Sequence, residues 1–263
     1  MIKLIASDLD GTLLPPSKGL PEETFSLIEK LYERGIIFVP ASGRQLPNLE
    51  KLFAPVLNKI AIIAENGGLC SFGGKIIFTD PTPRWGVKYA LDIIRGEADL
   101  YPLLSCAGCA YYESDFAPFI QTAEKSYSNI RRAKLDEVAE RETVLKISVW
   151  DGKPPCAEHG GKILPPQIKG LRTMVSGFDW LDVSAPDANK GKALRALMQA
   201  VGASADECVA FGDHMNDLEM LQSCGQAYVT ANAFAGLKAQ IKNEVPSNAD
   251  FGVIKKIKEI LNG

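Results

Sequence analysis

Four short stretches of the 263-residue sequence place acidic, basic and hydroxyl side chains where a phosphoryl group could be handled. Asp8-Leu9-Asp10-Gly11-Thr12-Leu13 follows an apolar run, and Ala41-Ser42-Gly43-Arg44 follows a second. Lys190 opens a helical stretch, and Gly212-Asp213-His214-Met215-Asn216-Asp217 follows a third apolar run. Open parallel sheets bind ligands in the crevice outside the carboxyl ends of their strands. If these runs are neighbouring strands, Asp8, Asp10, Asp213 and Asp217 converge there. Carboxylates a few ångströms apart cannot all stay ionised without compensation. A hard cation such as Mg2+ supplies it through oxygen ligands, including carboxylates, water and substrate phosphate. Lys190 adds a further positive charge.

The spacing suggests roles. Asp8 and Asp10 flank Leu9, so on a strand that ran straight on, their side chains would share a face. One of the two could attack phosphorus while the other handles the proton of the leaving oxygen. Phosphoryl transfer needs mainly positioning and charge stabilisation, so a carboxylate opposite a metal suffices. Ser42 and the backbone N–H groups at Gly43 sit at a strand-to-helix turn, a natural phosphate cradle. Gly11 and Thr12 supply the tight turn that leaves the two aspartates exposed. Other chemistries fit poorly: there are two histidines, no G-x-S-x-G elbow and no G-x-x-x-x-G-K-[ST] loop.

The elements that must hold these groups alternate. Apolar runs at residues 2–7, 36–40 and 60–64 read as buried parallel strands, with helices expected over 21–34 and about 46–57 between them. A glycine turn at Phe72-Gly73-Gly74-Lys75 reads as a hairpin. From about residue 81 the pattern turns mixed. Helices are expected near 85–95 and 116–126, strands near 144–150, 171–175 and 180–184, and the pairs Pro154-Pro155 and Pro165-Pro166 read as breaks. Alternation resumes with a helix over 190–201, a strand over 208–211, and helices from 218 and over 253–261. The expected fold class is α/β: a Rossmann-like parallel sheet from residues 1–82 and 186–263, with an inserted α+β unit at 83–185. Trp85, Tyr111, Tyr112 and Trp180 are expected in the core of that unit.

The net charge of -3 argues against a nucleic-acid partner, which would call for a basic face. No apolar run approaches the roughly 20 residues needed to span a bilayer, and the N-terminal apolar run is too short for a signal peptide. The expected setting is cytoplasmic, with the six cysteines reduced. Cys106, Cys109, Cys156 and His159 have zinc-ligand spacing within each half, but the first pair lies in an apolar run, and packing is the favoured reading.

Taken in order, Asp8-Leu9-Asp10-Gly11-Thr12, Ser42-Gly43-Arg44, Lys190-Gly191 and Gly212 to Asp217 resemble the four motifs of the haloacid dehalogenase-like hydrolase superfamily. The similarity spans the whole α/β core. An insertion after the third strand resembles the Cof-type branch, subclass IIB, whose large α+β cap is found on many sugar-phosphate phosphatases. The resemblance implies Asp8 as nucleophile, Asp10 as general acid then base, and Mg2+ held by the Asp8 carboxylate, the Asp10 carbonyl and Asp213. It implies that Ser42, Gly43, Lys190 and Asn216 hold phosphate, and that Asp217 orients a metal-bound water or Lys190. Asn66 also matches the family, and Arg44 either touches ligand or pairs with an acidic neighbour. The cap would close over the crevice and contact the rest of the substrate. After the last motif, Tyr228-Val229-Thr230-Ala231-Asn232-Ala233 departs from the family's frequent Val-Ala-Met-Gly-Asn-Ala but keeps the asparagine. The implied activity is hydrolysis of small phosphorylated metabolites, with sugar phosphates leading. A phosphomutase and a non-catalytic metabolite binder are the alternatives, and oligomeric state is left open.

Overall fold

The computed structural model describes residues 1–17 and 19–263. Along the chain come β1 (Leu4–Asp8), α1 (Thr24–Glu33), β2 (Ile37–Ala41), α2 (Leu46–Leu52), β3 (Ala61–Ala64), β4 (Leu69–Phe72) and β5 (Lys75–Thr79). Next are α3 (Arg84–Gly96), β6 (Leu100–Cys106), β7 (Ala110–Tyr112), α4 (Ala117–Ser126), β8 (Ile130–Arg132), α5 (Leu135–Arg141) and β9 (Val144–Asp151). After α6 (Gly160–Gln167), β10 (Arg172–Val175) and β11 (Trp180–Ser184) come α7 (Lys190–Val201), β12 (Cys208–Gly212), α8 (Leu218–Gln222) and β13 (Gln226–Thr230). The chain closes with α9 (Ala235–Lys238), β14 (Glu244–Val245) and α10 (Gly252–Asn262).

Packing divides the chain into two compact units. One holds Met1–Ser42, Leu49–Phe78 and Asn189–Gly263; the other holds Gly43–Asn48 and Thr79–Ala188. The first is built on a sheet of order β14-β13-β12-β1-β2-β3-β4-β5, parallel from β14 to β3. Its central strands are apolar at almost every position because both faces are covered. Leu4, Ala6, Val39, Ala41, Ile63 and Ala210 meet Leu194, Leu197 and Leu221 on the α7–α8 side. The mixed α/β class expected from the alternation is the class observed.

The second unit has a sheet of order β10-β11-β9-β6-β7-β8, antiparallel apart from the β7–β8 pair. The residues of β6 alternate faces. Leu104 joins the core with Leu91, Ile94, Val138 and Leu164 from α3, α5 and α6, while Leu103 packs with Phe119 and Ala123 from α4. Tyr111 is buried, and Tyr112 and Trp180 pack against the α4 cluster. Trp85 does not join them: it is 58% exposed. The buried stripe of α3 is Val87, Ala90, Leu91 and Ile94, and a residue two positions before Val87 points away from such a stripe.

Two further expectations change. The helix expected over 46–57 stops at Leu52 and continues as a 3-10 turn at Ala54–Lys59, because Pro55 lacks the N–H and crowds the preceding turn. Pro165 and Pro166, read as a break, lie inside α6. They remove two donors near its end, and the helix stops at Gln167, closing with Ile168 N–H donating to Leu164 O (2.8 Å).

The start of α7 is fixed by a cap and by two close backbone approaches. Asn189 is extended (φ -158, ψ 159), and its side-chain oxygen accepts from Lys192 N–H at 2.8 Å, capping the helix that begins with Lys190. A Cβ on Gly67 (φ +96) would lie 2.1 Å from the Asn189 carbonyl oxygen, and one on Gly191 would lie 2.3 Å from the Glu219 carbonyl oxygen. Glycine at both positions lets α7 come close to the β3–β4 turn and to α8. Asn189→Ala should cost about 1 kcal/mol and lower Tm by about 2–4 °C; an unchanged Tm in thermal denaturation would show that the cap does not hold.

Candidate active site

In the register of the sheet, Ser7 lies beside Phe211 and Asp8 beside Ala41. Asp213 and Ser42 therefore leave the sheet at the same edge as Asp8. The strand does not run straight on past Asp8. Leu13 N–H donates to Asp8 O (3.3 Å) and Leu14 N–H to Leu9 O (2.8 Å), so the chain curls back. Asp8 is buried, at 6% exposure, while Asp10 is exposed, so the two aspartates do not share one environment.

Lys190 is fully buried. Its Nζ donates to Asp8 Oδ1 (2.5 Å) and to Asp217 Oδ1 (2.7 Å). Asp217 Oδ2 accepts from the N–H groups of Asp213 (3.0 Å) and His214 (3.1 Å), so this one carboxylate braces both the lysine and the loop. Asp213 Oδ1 accepts from the Thr12 hydroxyl at 2.7 Å. A Cβ on Gly11 (φ +90) would stand 2.3 Å from Asp213 Oδ2, so the Asp-Gly-Thr turn presses directly on this carboxylate. Gly212 is equally constrained, since a Cβ there would meet the Asp217 side chain at 2.5 Å.

Asn66 sits in the left-handed region (φ 54, ψ 31). Its N–H donates to Ser42 O (3.0 Å) and its Oδ1 accepts from Asn216 Nδ2 (3.2 Å), which joins three of the expected site residues. Gly43 and Arg44 group with the second unit, where Lys146 Nζ donates to the Gly43 carbonyl at 2.8 Å. Thr12 is the residue whose part the sequence reading missed, since it gives Thr12 only a turn. A hydroxyl immediately after an Asp-Gly turn was the available signal.

Burial pushes the Asp8 carboxyl well above its ordinary value; Lys190 pulls it down, and Asp217 and Asp213 push it further up. Burial likewise raises Asp213, against the Thr12 hydrogen bond, which lowers it. Burial works against the charge on Lys190, but the carboxylates of Asp217 and Asp8 outweigh it and hold the ammonium above its usual range. One ammonium cannot offset three neighbouring carboxylates. Asp8, Asp213 and Asp217 each offer an oxygen within 4.8 Å of the others, and they are the one such group among the described residues. With Asp217 spent on Lys190 and the loop amides, Asp8 and Asp213 are the carboxylates left to face a cation. A hard oxygen set with surplus negative charge fits a divalent metal ion.

Cys106, Cys109, Cys156 and His159 are not gathered in this way. The three cysteines lie in the helix-covered core of the second unit, and His159 Nδ1 bonds Asp151 Oδ1 at 2.8 Å. Burial pushes the Cys156 thiol up to about 12, with the Asp151 carboxylate adding to the rise.

A family model for haloacid dehalogenase-like hydrolases matches residues 5–257. The chain belongs to this family. The 5-amino-6-(5-phospho-D-ribitylamino)uracil phosphatase of Escherichia coli K12 is 29% identical over 265 residues, covering 99% of this chain and 96% of that one. The HMP-PP phosphatase of Cronobacter sakazakii is 29% identical over 244 residues, covering 92% and 88%. Among solved structures, a sugar phosphatase of haloacid dehalogenase subclass IIB superposes with a TM-score of 0.81 at 21% identity, covering 98% of each chain. Among the described residues no helix is long and apolar enough to cross a membrane.

Two outcomes follow from the charges. Asp8 and Asp213 hold protons more tightly folded than unfolded, so the folded state carries the extra protons above the ordinary carboxyl value of 3.8 and loses stability as pH climbs through the raised values. A cation needs these carboxyls ionised, so Mg2+ should raise Tm more at about pH 8 than at about pH 5; no Tm response at either pH would remove the cluster as a metal site. Lys190→Met leaves Asp8 and Asp217 buried without their counter-ion and should destabilise by about 3–5 kcal/mol. The deficit should shrink on acidification, as the carboxyls take up protons, and a pH-independent deficit in denaturant melts would contradict the charge argument.

Proposed function

We propose that this enzyme is a Mg2+-dependent phosphomonoesterase that hydrolyses small phosphorylated metabolites through an aspartyl phosphate on Asp8. The observation that carries the reading is the buried Asp8–Lys190–Asp217 cluster with Asp213 at the same sheet edge. A buried lysine–aspartate pair carries a desolvation cost that apolar packing would avoid, so its presence at a strand end supports a functional role. The phosphatases among the relatives point to the same reaction. One of them acts on a phosphoribityl compound and a structural neighbour is a sugar phosphatase, which favours a phosphorylated sugar or polyol as substrate.

Asp8 carries the nucleophilic oxygen. Lys190 fixes its carboxylate through Oδ1 and keeps the ammonium beside the entering phosphate, where it offsets charge in the transition state. An Asp8 oxygen bonds to phosphorus as the bond to the leaving oxygen breaks, and Asp10, at the exposed mouth, gives that oxygen its proton. Asp10 then takes a proton from water as the water attacks phosphorus, which releases inorganic phosphate and restores the Asp8 carboxylate. Ser42 and Asn216, tied together through Asn66, hold the remaining phosphate oxygens. Asp8, Asp213 and the Asp10 carbonyl would hold Mg2+, which supplies Lewis-acid neutralisation of the phosphoryl charge. The six cysteines are free thiols, which suits a reducing, cytoplasmic setting.

Asp8→Asn removes the nucleophile while keeping its shape, and kcat for phosphate release should fall by at least about 10^4-fold. Turnover above a few per cent of wild type would mean the nucleophile is misassigned. EDTA should stop phosphate release from a panel of sugar phosphates and Mg2+ should restore it; turnover that persists in chelator would remove the metal from the reaction.

A further inference from the structure

The turn after the nucleophile is held from outside by two asparagines that belong to none of the four motifs. Asn232, just past β13, donates from Nδ2 to Gly11 O at 2.8 Å, and its Oδ1 accepts from Asn248 N–H at 3.0 Å. Asn248, the first residue of a 3-10 turn, donates from Nδ2 to Leu14 O at 2.8 Å. Linked through the Asn248 backbone N–H, the two residues reach both carbonyls bounding the Gly11–Leu14 turn, each with its own side-chain Nδ2. Thr230 Oγ1 lies at 3.5 Å from the same Gly11 oxygen. The loop bearing Asn232 is itself anchored beside the acidic cluster, since Phe234 N–H donates to Asp213 O at 2.8 Å.

The connections give the pair a function. Inside the turn, the backbone bonds use Thr12 N–H to Leu9 O (3.2 Å), Leu13 N–H to Asp8 O and Leu14 N–H to Leu9 O. The Gly11 carbonyl takes no part in those bonds, while Leu14 pairs back with Asp10 in an isolated parallel bridge. Gly11 has a positive φ and so lacks the stiffness that a side chain would give. Asp10 precedes it and Thr12, which grips Asp213, follows it. A rotation of the Gly11 peptide would move Asp10 and release Asp213 together.

We propose that Asn232 and Asn248 act jointly as positioning residues, clamping the Gly11–Leu14 turn so that Asp10 stays aimed at the leaving oxygen and Thr12 keeps its hold on Asp213. The proposal rests on the phosphatase reading for its effect on turnover, and on the hydrogen bonds alone for its effect on the turn and on metal affinity. The test uses the full chain with Asn232→Asp, Asn232→Ala, Asn248→Ala and the double alanine variant. Asn232→Asp keeps the acceptor for Asn248 and loses the donor for Gly11, so it isolates the clamp from the link to Asn248. Each variant is read by kcat and KM on p-nitrophenyl phosphate at saturating Mg2+, by calorimetric Mg2+ affinity, by amide hydrogen exchange at residues 12–14, and by Tm.

Misplacement of reacting groups by a fraction of an ångström predicts kcat about 10-fold lower in each single variant, with KM unchanged within about 2-fold. Mg2+ affinity should weaken several-fold and exchange at residues 12–14 should accelerate. Because the two side chains hold the two ends of one short turn, losing either frees it, and the double variant should fall no further than the worse single. Wild-type kcat, Mg2+ affinity and exchange in the single variants would overturn the proposal, as would kcat losses that disappear below the Tm of every variant. If the wild-type chain released no phosphate from any ester, the phosphatase reading would fail instead. Mg2+ affinity and amide exchange would still decide the clamp.

Discussion

The burial of Lys190 between Asp8 and Asp217 constrains almost everything else in the α/β unit. An ammonium taken wholly out of water is tolerable only with carboxylates at hydrogen-bond distance, and buried carboxylates are tolerable only with that ammonium. The lysine therefore has to arrive at the strand edge at one position, from the first turn of a helix. Asn189 caps that turn, Gly67 leaves room for its backbone, and Gly191 lets the helix lie against α8. On the other side Asp217 accepts from two loop amides as well as from the lysine, so the loop after β12 and the start of α7 are fixed by one carboxylate.

The same arrangement leaves the cluster with surplus negative charge. Most proteins spread or neutralise such groups, and a fold that keeps them together loses stability at neutral pH unless something positive binds. The site is thus strained in its charges rather than in its chain, and bound positive charge would relieve it. Functional sites commonly carry this kind of local cost, offset by a well-packed scaffold. Here the scaffold is a sheet whose central strands are buried on both faces.

The α/β alternation was legible because buried parallel strands and their covering helices have distinct periods, and Lys190–Val201 and Cys208–Gly212 fall where the pattern places them. The inserted unit was less legible. The short strands β7 and β8 and the seven-residue helix α5 are set by contacts with distant partners, as in the Tyr111–Arg131 pairing, and carry little local signal. The two prolines of α6 were misread because a breaker rule ignores how near the end of a helix they fall. Trp85 was misplaced because aromatic type was weighed above helical phase.

Residue order was enough to say which groups could meet: aspartates, a lysine, a serine and an asparagine, most of them at the ends of apolar runs, where strand direction alone carries them to one edge. It also determined the family, since four ordered motifs survive any uncertainty in element boundaries. How those groups stand against one another is a property of the folded chain. Asp8 is sunk beside Lys190 while Asp10, two residues on, stays in solvent, because the chain curls at Gly11 instead of running straight. Asp217 is committed to the lysine and the loop amides, and Thr12, Asn232 and Asn248 enter through hydrogen bonds reaching across more than two hundred residues. No local pattern encodes such contacts, because a hydrogen bond between distant segments exists only after the sheet has brought them together.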